Sequence, residues 1–418
     1  MNKAEASLRA RSATTVPGGM YGHKNVAHLP AGFPQFFEKG LGASIWDADG
    51  HEYIDMMCSW GPIILGHQNP LVDEAVRQQL AQGECFNGPS SRMVELAELL
   101  TDTVAHADWA LFCKNGTDAT TLAVAVARTE TSKRKVIMAN GSYHGIAAWS
   151  SSPTAAGIPA DERAHTIRIE YNDVASLRAA VSEADDDLAA LVLTPLRHDI
   201  SRDLEPVSPE FARAARELCN RHNAVLILDE VRTGFRIDPV GSWTSLGVQP
   251  DLSAWSKALG NGHAIAALLG TRTLEAAATR ITATGSFWFG SVPMAAALAT
   301  VREIRRPESQ AILTASGTKL QNCLRTQAAS YGLDVNVSGP PALPFMTFAN
   351  DPGFELSAVW ARAALDEGAY FHPTHNWFLG TAHTDAVIDR VLNATDLAFA
   401  RVARVTAEPG ADRLLRAG

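Results

Sequence analysis

Between about residue 90 and residue 300 the chain alternates short β-branched or apolar runs with helix-like stretches, the pattern that builds a mostly parallel sheet covered by helices. Four runs read as strands: ADWALFC (107–113), KVIMAN (135–140), LAALVLTP (188–195) and AVLILDEV (224–231), each followed by turn or capping residues. Residues 117–132 are expected to form an amphipathic helix opened by Thr117 and Asp118. After residue 300 the texture changes to VREIRR, the stretch SGPPALP and a terminal helix around AVIDRVLNATDLAFARV. Near the start, GASIWDADGHEYIDM reads as a strand pair turning at DADG and packing on the later lobe. With 418 residues available, an α/β protein of more than one lobe is expected. The divisions are 1–55 as an N-terminal arm plus part of a small domain, 56–300 as the large domain, and 301–418 as the C-terminal small domain.

The bulk properties narrow the partners. A formal charge of -9 with no basic stripe argues against nucleic acid. No apolar run reaches the roughly 18 to 20 residues of a membrane span, so no membrane partner is expected. The opening MNKAEASLRARSATTVPGG lacks the apolar centre of a secretion signal and reads as a short helix and an arm. Five cysteines, Cys58, Cys85, Cys113, Cys219 and Cys323, are odd in number and widely separated, which suggests neither a disulfide framework nor a zinc ribbon. A cytoplasmic protein acting on small molecules fits best. HExxH and GxxxxGK[ST] are absent, and HPTHNW (372–377) offers two histidines without an acidic partner at ligand spacing, so no metal is expected.

Four elements carry chemistry. In AVLILDEVRTGFR five apolar residues deliver Asp229 and Glu230 to the carboxyl end of a buried strand, where ligands of open α/β sheets bind. A buried carboxylate needs a cationic partner, either a ligand group or, in the plainer alternative, Arg232 or Arg236. Lysine is scarce, 8 against 28 arginines, and between Lys135 and Lys319 only Lys257 occurs, in the apolar, glycine-containing setting AWSKALGNG. A desolvated lysine there is a nucleophile toward a carbonyl; a snorkelling surface lysine is the alternative. FCKNGTDATTLAVAVAR places a helix start after a strand, a cradle for phosphate as well as an ordinary N-cap. Tyr143 in ANGSYHG puts an aromatic face at the same sheet edge, to stack on a flat ring or merely to pack. Together the four supply an amine, a carboxylate, a phosphate cradle and a ring face, the needs of pyridoxal 5'-phosphate (PLP).

NGTDA, SYHG, LDEVRTGFR, AWSKALGNG and SFWFG before a helix resemble the class III aminotransferases, and the resemblance runs from WDADGHEYIDM to GTAHTDAVIDRVL. SWGPIILGHQNP (59–70) is similar to glutamate-1-semialdehyde aminomutases, while GGMYGH, HADWALFCKNG and TPLRHD resemble bacterial aminotransferases that deaminate hydrolysed fumonisin. The resemblance implies a fold-type I homodimer with active sites at the interface. It makes Lys257 the Schiff-base lysine and Asp229 the partner of the pyridine nitrogen. Val231 and Tyr143 flank the ring, Gly116 and Thr117 hold the phosphate, and His144 joins the cofactor-binding positions. Ser286, in TGSFWFG, stands where relatives carry a threonine that reaches the phosphate from the neighbouring subunit. Tyr21, His23, Trp60 and Trp288 are candidate pocket walls, with structural packing as the alternative for each.

The sequence also departs from its relatives. Thr194 and Pro195 replace a Glu-Pro pair, ANGSYHGIAAW lacks the CYHGH of the aminomutases, and AYFHPTHNWFLGTAHT offers no arginine for a carboxylate. The expected activity is therefore transfer of an amino group from an amine or amino acid to a 2-oxo acid, with a long or weakly polar amine as donor and pyruvate as acceptor. An intramolecular 2,1-aminomutase is the alternative, and a PLP-binding protein without turnover the third.

Overall fold

A computed structural model describes residues 3–22, 25 and 29–407. Helix α1 (Lys3–Thr15) precedes strands β1 (Phe37–Leu41), β2 (Ser44–Asp47) and β3 (Glu52–Asp55) and helices α2 (Pro70–Leu80) and α3 (Ser91–Thr103). The central run is β4 (Trp109–Cys113), α4 (Gly116–Thr131), β5 (Lys135–Ala139), β6 (Thr166–Ile169), α5 (Val174–Ala184) and β7 (Leu188–Leu193). A two-residue ribbon, β8 (Leu196–Arg197) with β9 (Glu205–Pro206), leads to α6 (Pro209–His222), β10 (Val225–Asp229), β11 (Leu252–Trp255) and β12 (Ala266–Gly270). Then come α7 (Glu275–Ala278), α8 (Ser291–Ile304), α9 (Pro307–Ser330), β13 (Val335–Ser338), β14 (Phe345–Phe348), α10 (Glu355–Asp366), β15 (Ala369–Tyr370) and α11 (Asp385–Ala407).

The main sheet has seven strands in the order β4-β12-β11-β10-β7-β5-β6, and β12 alone runs against the rest. That reversal follows from chain length, since only residues 256–265 separate β11 from β12, too few for the helical crossover a parallel neighbour requires. Every residue of β7 and β10 is buried, which is why these strands read as unbroken apolar runs. Their side chains alternate between two cores. Leu226 and Leu228 join Leu191, Leu193 and Phe211 on one face, while Val225 and Ile227 meet Val192, Val136 and the α4 residues Ala123 and Val126 on the other. Burial of each large aliphatic side chain contributes about 1.5–3 kcal/mol.

The first three strands form an antiparallel meander in which Ser44 faces Ile54 and Trp46 faces Glu52. Asp47 Oδ1 accepts the Asp49 and His51 N–H groups at 3.0 and 2.9 Å, closing the expected turn. β15 pairs with β3 in parallel, so the opening segment shares one sheet with the late one, as the strand-pair reading anticipated. Behind it lies an aromatic core in which Trp360 stacks on Trp377 at 5.5 Å.

The four expected strands are present: β4 starts two residues late and ends where expected, while β5, β7 and β10 end one or two residues early. Strands β6, β11 and β12 add to them. Helix α4 starts one residue earlier than expected, and its cap is Asn115 rather than Thr117 or Asp118. Asn115 Oδ1 accepts the Asp118 N–H at 3.0 Å while Asp118 Oδ2 accepts the Asn115 N–H at 3.2 Å, a reciprocal box that fixes the helix start.

Candidate active site

The carboxyl ends of β4, β5, β7, β10 and β11 all reach one edge of the sheet, where they border a cavity of about 500 Å³. β4 delivers Gly116 and Thr117, β5 delivers Tyr143 and His144, β10 delivers Asp229, Val231 and Arg232, and β11 delivers Lys257; all of these line the cavity. The edge position follows from strand direction, since parallel strands bring their following turns to the same side.

Lys257 sits one residue beyond Ser256 in the left-handed region, at φ 45°. Such backbone costs on the order of 1–3 kcal/mol for a residue with a Cβ, and the surrounding packing holds it in place. Its amine makes no hydrogen bond or ion pair with the described residues. Burial first, then the nearby Arg232 and Arg236, lower its pKa to about 7 against the opposing pull of Asp229. A substantial fraction of the amine is therefore uncharged near neutral pH, the state a nucleophile needs. Gly61 is essential to this arrangement: at φ 107° its backbone passes so close that a Cβ would lie 2.9 Å from Phe378 and 3.3 Å from Lys257 Cδ.

The buried Asp229 is paired with neither arginine. Its Oδ2 accepts from His144 Nδ1 at 2.8 Å, and its Oδ1 accepts the Val231 N–H at 3.0 Å. The plainer alternative, an ion pair with Arg232 or Arg236, is thereby overturned. The His144 ring stacks on Trp149 at 6.0 Å, and its carbonyl oxygen accepts from Thr120 Oγ1 at 2.7 Å. Glu230 turns into the interior, where it accepts from Ser242 N, Ser242 Oγ and Thr233 Oγ1 at 2.8, 2.6 and 2.6 Å. Burial pushes its carboxyl up despite those hydrogen bonds.

At the start of α4 the Gly116 and Thr117 N–H groups lack partners among the described residues, and the positive end of a 16-residue helix points at the cavity. A Cβ on Gly116 would lie 2.9 Å from a Val231 methyl, so the backbone here approaches as closely as it can. The donor set suits a phosphate.

The remaining candidates divide. Tyr143 borders the cavity and is 60% exposed. Trp60 packs edge-on against His372 and His375, at 5.2 and 4.8 Å. Tyr21 is 74% exposed and does not border the cavity, and His23 lies outside the described residues. Trp288 does not wall the cavity either; it packs on the core cluster behind β4 and α4. Ser286 is exposed and is not brought to the site within one chain. Sequence reasoning missed His198 and Arg232 as cavity residues, and it had considered Arg232 only as a partner for Asp229.

These features agree with what the chain resembles. The family model for class III aminotransferases matches residues 26–384. The aminopentol aminotransferase of Sphingopyxis macrogoltabida is 46% identical over 400 residues, covering 96% of this chain and 94% of that protein. A 3-aminobutyryl-CoA aminotransferase of Cloacimonas acidaminovorans is 32% identical over 405 residues, 96% of this chain and 97% of its own. The solved PLP internal aldimine form of the FumI protein of Sphingopyxis sp. MTA144 superposes with a TM-score of 0.96 at 45% identity, covering 99% and 100% of the two chains. The chain belongs to the class III aminotransferases, PLP-dependent enzymes of fold type I.

Proposed function

We propose that this aminotransferase moves an amino group from a long or weakly polar amine to pyruvate, with Lys257 holding the cofactor covalently through Nζ. The observation that carries the reading is the unpartnered, desolvated Lys257 amine opening on the same cavity as Asp229 and the start of α4. The likeness to an aminopentol aminotransferase over 96% of the chain supports an amine donor.

Bound PLP supplies an electron sink for the pair released when a proton leaves the donor carbon. The residues fit such a group. Asp229 would keep the ring nitrogen protonated, and His144 fixes the orientation of that carboxylate. Val231 and Tyr143, which both line the cavity, would hold the ring, and Gly116 and Thr117 would offer their free N–H groups to the phosphate. With its amine free, Lys257 Nζ would take the proton from the donor carbon as base and give it up to a second carbon as acid, ending in the protonation state in which it began.

Homodimer formation belongs to this reading. Ile146 borders the cavity and is 76% exposed, and Phe287 beside Ser286 is 70% exposed, so a second copy is the natural cover for both. Ser286 would then serve the phosphate of the neighbouring site. The five cysteines are all unpaired, which suits the reducing cytoplasm, and among the described residues no helix is long and apolar enough to cross a membrane.

The test is the visible spectrum of the purified protein beside Lys257→Ala, followed by turnover of an amine panel with pyruvate or 2-oxoglutarate. A yellow band in the wild type alone that bleaches with amine, and alanine formation that requires pyruvate, is the expected result. Product formed with no acceptor would replace the reading with an aminomutase. A colourless protein after added PLP would remove the mechanism.

A further inference from the structure

Arg232 follows Val231 at the end of β10 and borders the cavity beside Lys257. Its Nη1 donates to Asn376 Oδ1 at 2.6 Å and to the His198 carbonyl oxygen at 3.4 Å. Both acceptors are uncharged. Its Nε is shut off from solvent without a partner, and its Nη2 has none among the described residues. No carboxylate there forms an ion pair with it, because Asp229, the acid nearest in sequence, is engaged by His144 and the Val231 N–H.

A guanidinium removed from water with no counter-ion is costly, and Arg cannot escape the cost by losing its proton. Burial brings its pKa to about 10, which leaves it charged at neutral pH. The nearest acids, Asp229 and Asp199, act on it only through space, since Asp229 is held by His144 and Asp199 by Arg197. Burial likewise holds His198 and His375 well below their ordinary value, so both rings are neutral. Of the unused donors Nε is sealed, and Nη2, which is not, presents the open end of the planar fork and can donate to a carboxylate.

We propose that the open Nη2 edge of Arg232 receives the carboxylate of the 2-oxo acid acceptor and sets the enzyme's preference for acids over neutral carbonyl compounds. The assignment rests on the aminotransfer reading above. It supplies from β10 the arginine that the C-terminal stretch 369–384 does not contain. By reversibility the same edge holds the carboxylate of the amino acid formed, so alanine used as donor depends on it equally.

The holoenzyme and its Arg232→Met and Arg232→Lys variants are compared, each first shown to carry the yellow cofactor band at wild-type stoichiometry. Two ratios are read: kcat/KM for pyruvate over propanal as acceptors, and the bleaching of the cofactor band by alanine over a simple alkylamine in the absence of any acceptor. In Arg232→Met both ratios fall on the order of 100-fold, the usual consequence of removing one partner of a desolvated charge pair, with a smaller fall in Arg232→Lys. Inhibition by propionate, a carboxylate without a carbonyl, weakens in parallel. Unchanged ratios, or equal losses for the acid and the neutral compound, overturn the assignment of Arg232 while leaving aminotransfer intact. A wild type that uses propanal as well as pyruvate overturns the acid-acceptor reading itself, and the proposal with it.

Discussion

His144 Nδ1 lies 2.8 Å from Asp229 Oδ2 with both side chains buried, a contact that bridges 85 residues of sequence. It ties the end of β5 to the end of β10 and leaves the carboxylate one orientation. Asp229→Asn, which keeps the shape and removes the charge, is expected to lower kcat on the order of 10²–10³-fold, the usual loss when a preorganised electrostatic partner is removed. His144→Phe should cost about tenfold, since a hydrogen bond to a charged group is worth about 1.5–3 kcal/mol. Steady-state kinetics with one amine donor check both, and an unaltered kcat in His144→Phe would show that the contact orients nothing.

Lys257 gives a pH dependence with a definite sign. Its pKa in the folded protein is lowered to about 7 by burial, then by Arg232 and Arg236, while in the unfolded chain it stays near the ordinary lysine value of 10.5. Between those values the unfolded chain binds more protons, so the stability of the cofactor-free protein rises with pH across that window. Lys257→Met should lose that rise, seen as a flatter plot of Tm against pH. The rate at which added PLP restores the yellow band should climb through pH 7 and then level off.

Gly116 and Val231 are packed at the limit of contact. Gly116→Ala would press a Cβ to 2.9 Å from a Val231 methyl and push the start of α4 out of position. Cofactor affinity is expected to fall about tenfold, the effect of losing one hydrogen bond to a charged group. Val231→Ala in the same chain should restore part of it. Equilibrium dialysis of PLP reads the effect, and an unaltered affinity in Gly116→Ala would mean that the helix start does not hold the phosphate.

Assembly is open to a complementation test. Light scattering should give twice the chain mass of 44.7 kDa. If Ser286 serves the opposite site, mixing Lys257→Ala with Ser286→Asp chains should generate hybrid dimers with one intact site and recover activity that neither parent has. No recovery after verified subunit exchange would place Ser286 outside the phosphate site.

Much of this was legible in sequence where a local rule applied. Strands β7 and β10 announce themselves because both faces are buried, so every residue is apolar. Lys257 stood out because lysine is scarce and its neighbours are apolar. β12 was not legible: AALLG is as good a helix former as a strand former, and only its seat between β4 and β11 decides. The plainer alternative for Asp229, a nearby arginine, follows from proximity in sequence, which is all a sequence offers, whereas His144 arrives by way of another strand. Arg232 escaped attention for the same reason, since Asn376 lies 144 residues away. Trp288 looked like a pocket wall because its motif borders the site in relatives, but within one chain its ring faces the core.

The loop that carries Lys257 is anchored at both ends to neighbouring strands and braced across its middle. Ser256 Oγ donates to the Ile265 carbonyl at 2.9 Å, and the Asn261 side chain accepts the Ile64 and Leu65 N–H groups while donating to the Gly66 carbonyl. The lysine thus works like a tool on a fixed post: only its own four methylenes can swing, and its stroke is set by their length. Anyone wishing to reshape this cavity should leave the post alone and recut the lining that is free of it, where Tyr143 and Ile146 stand exposed.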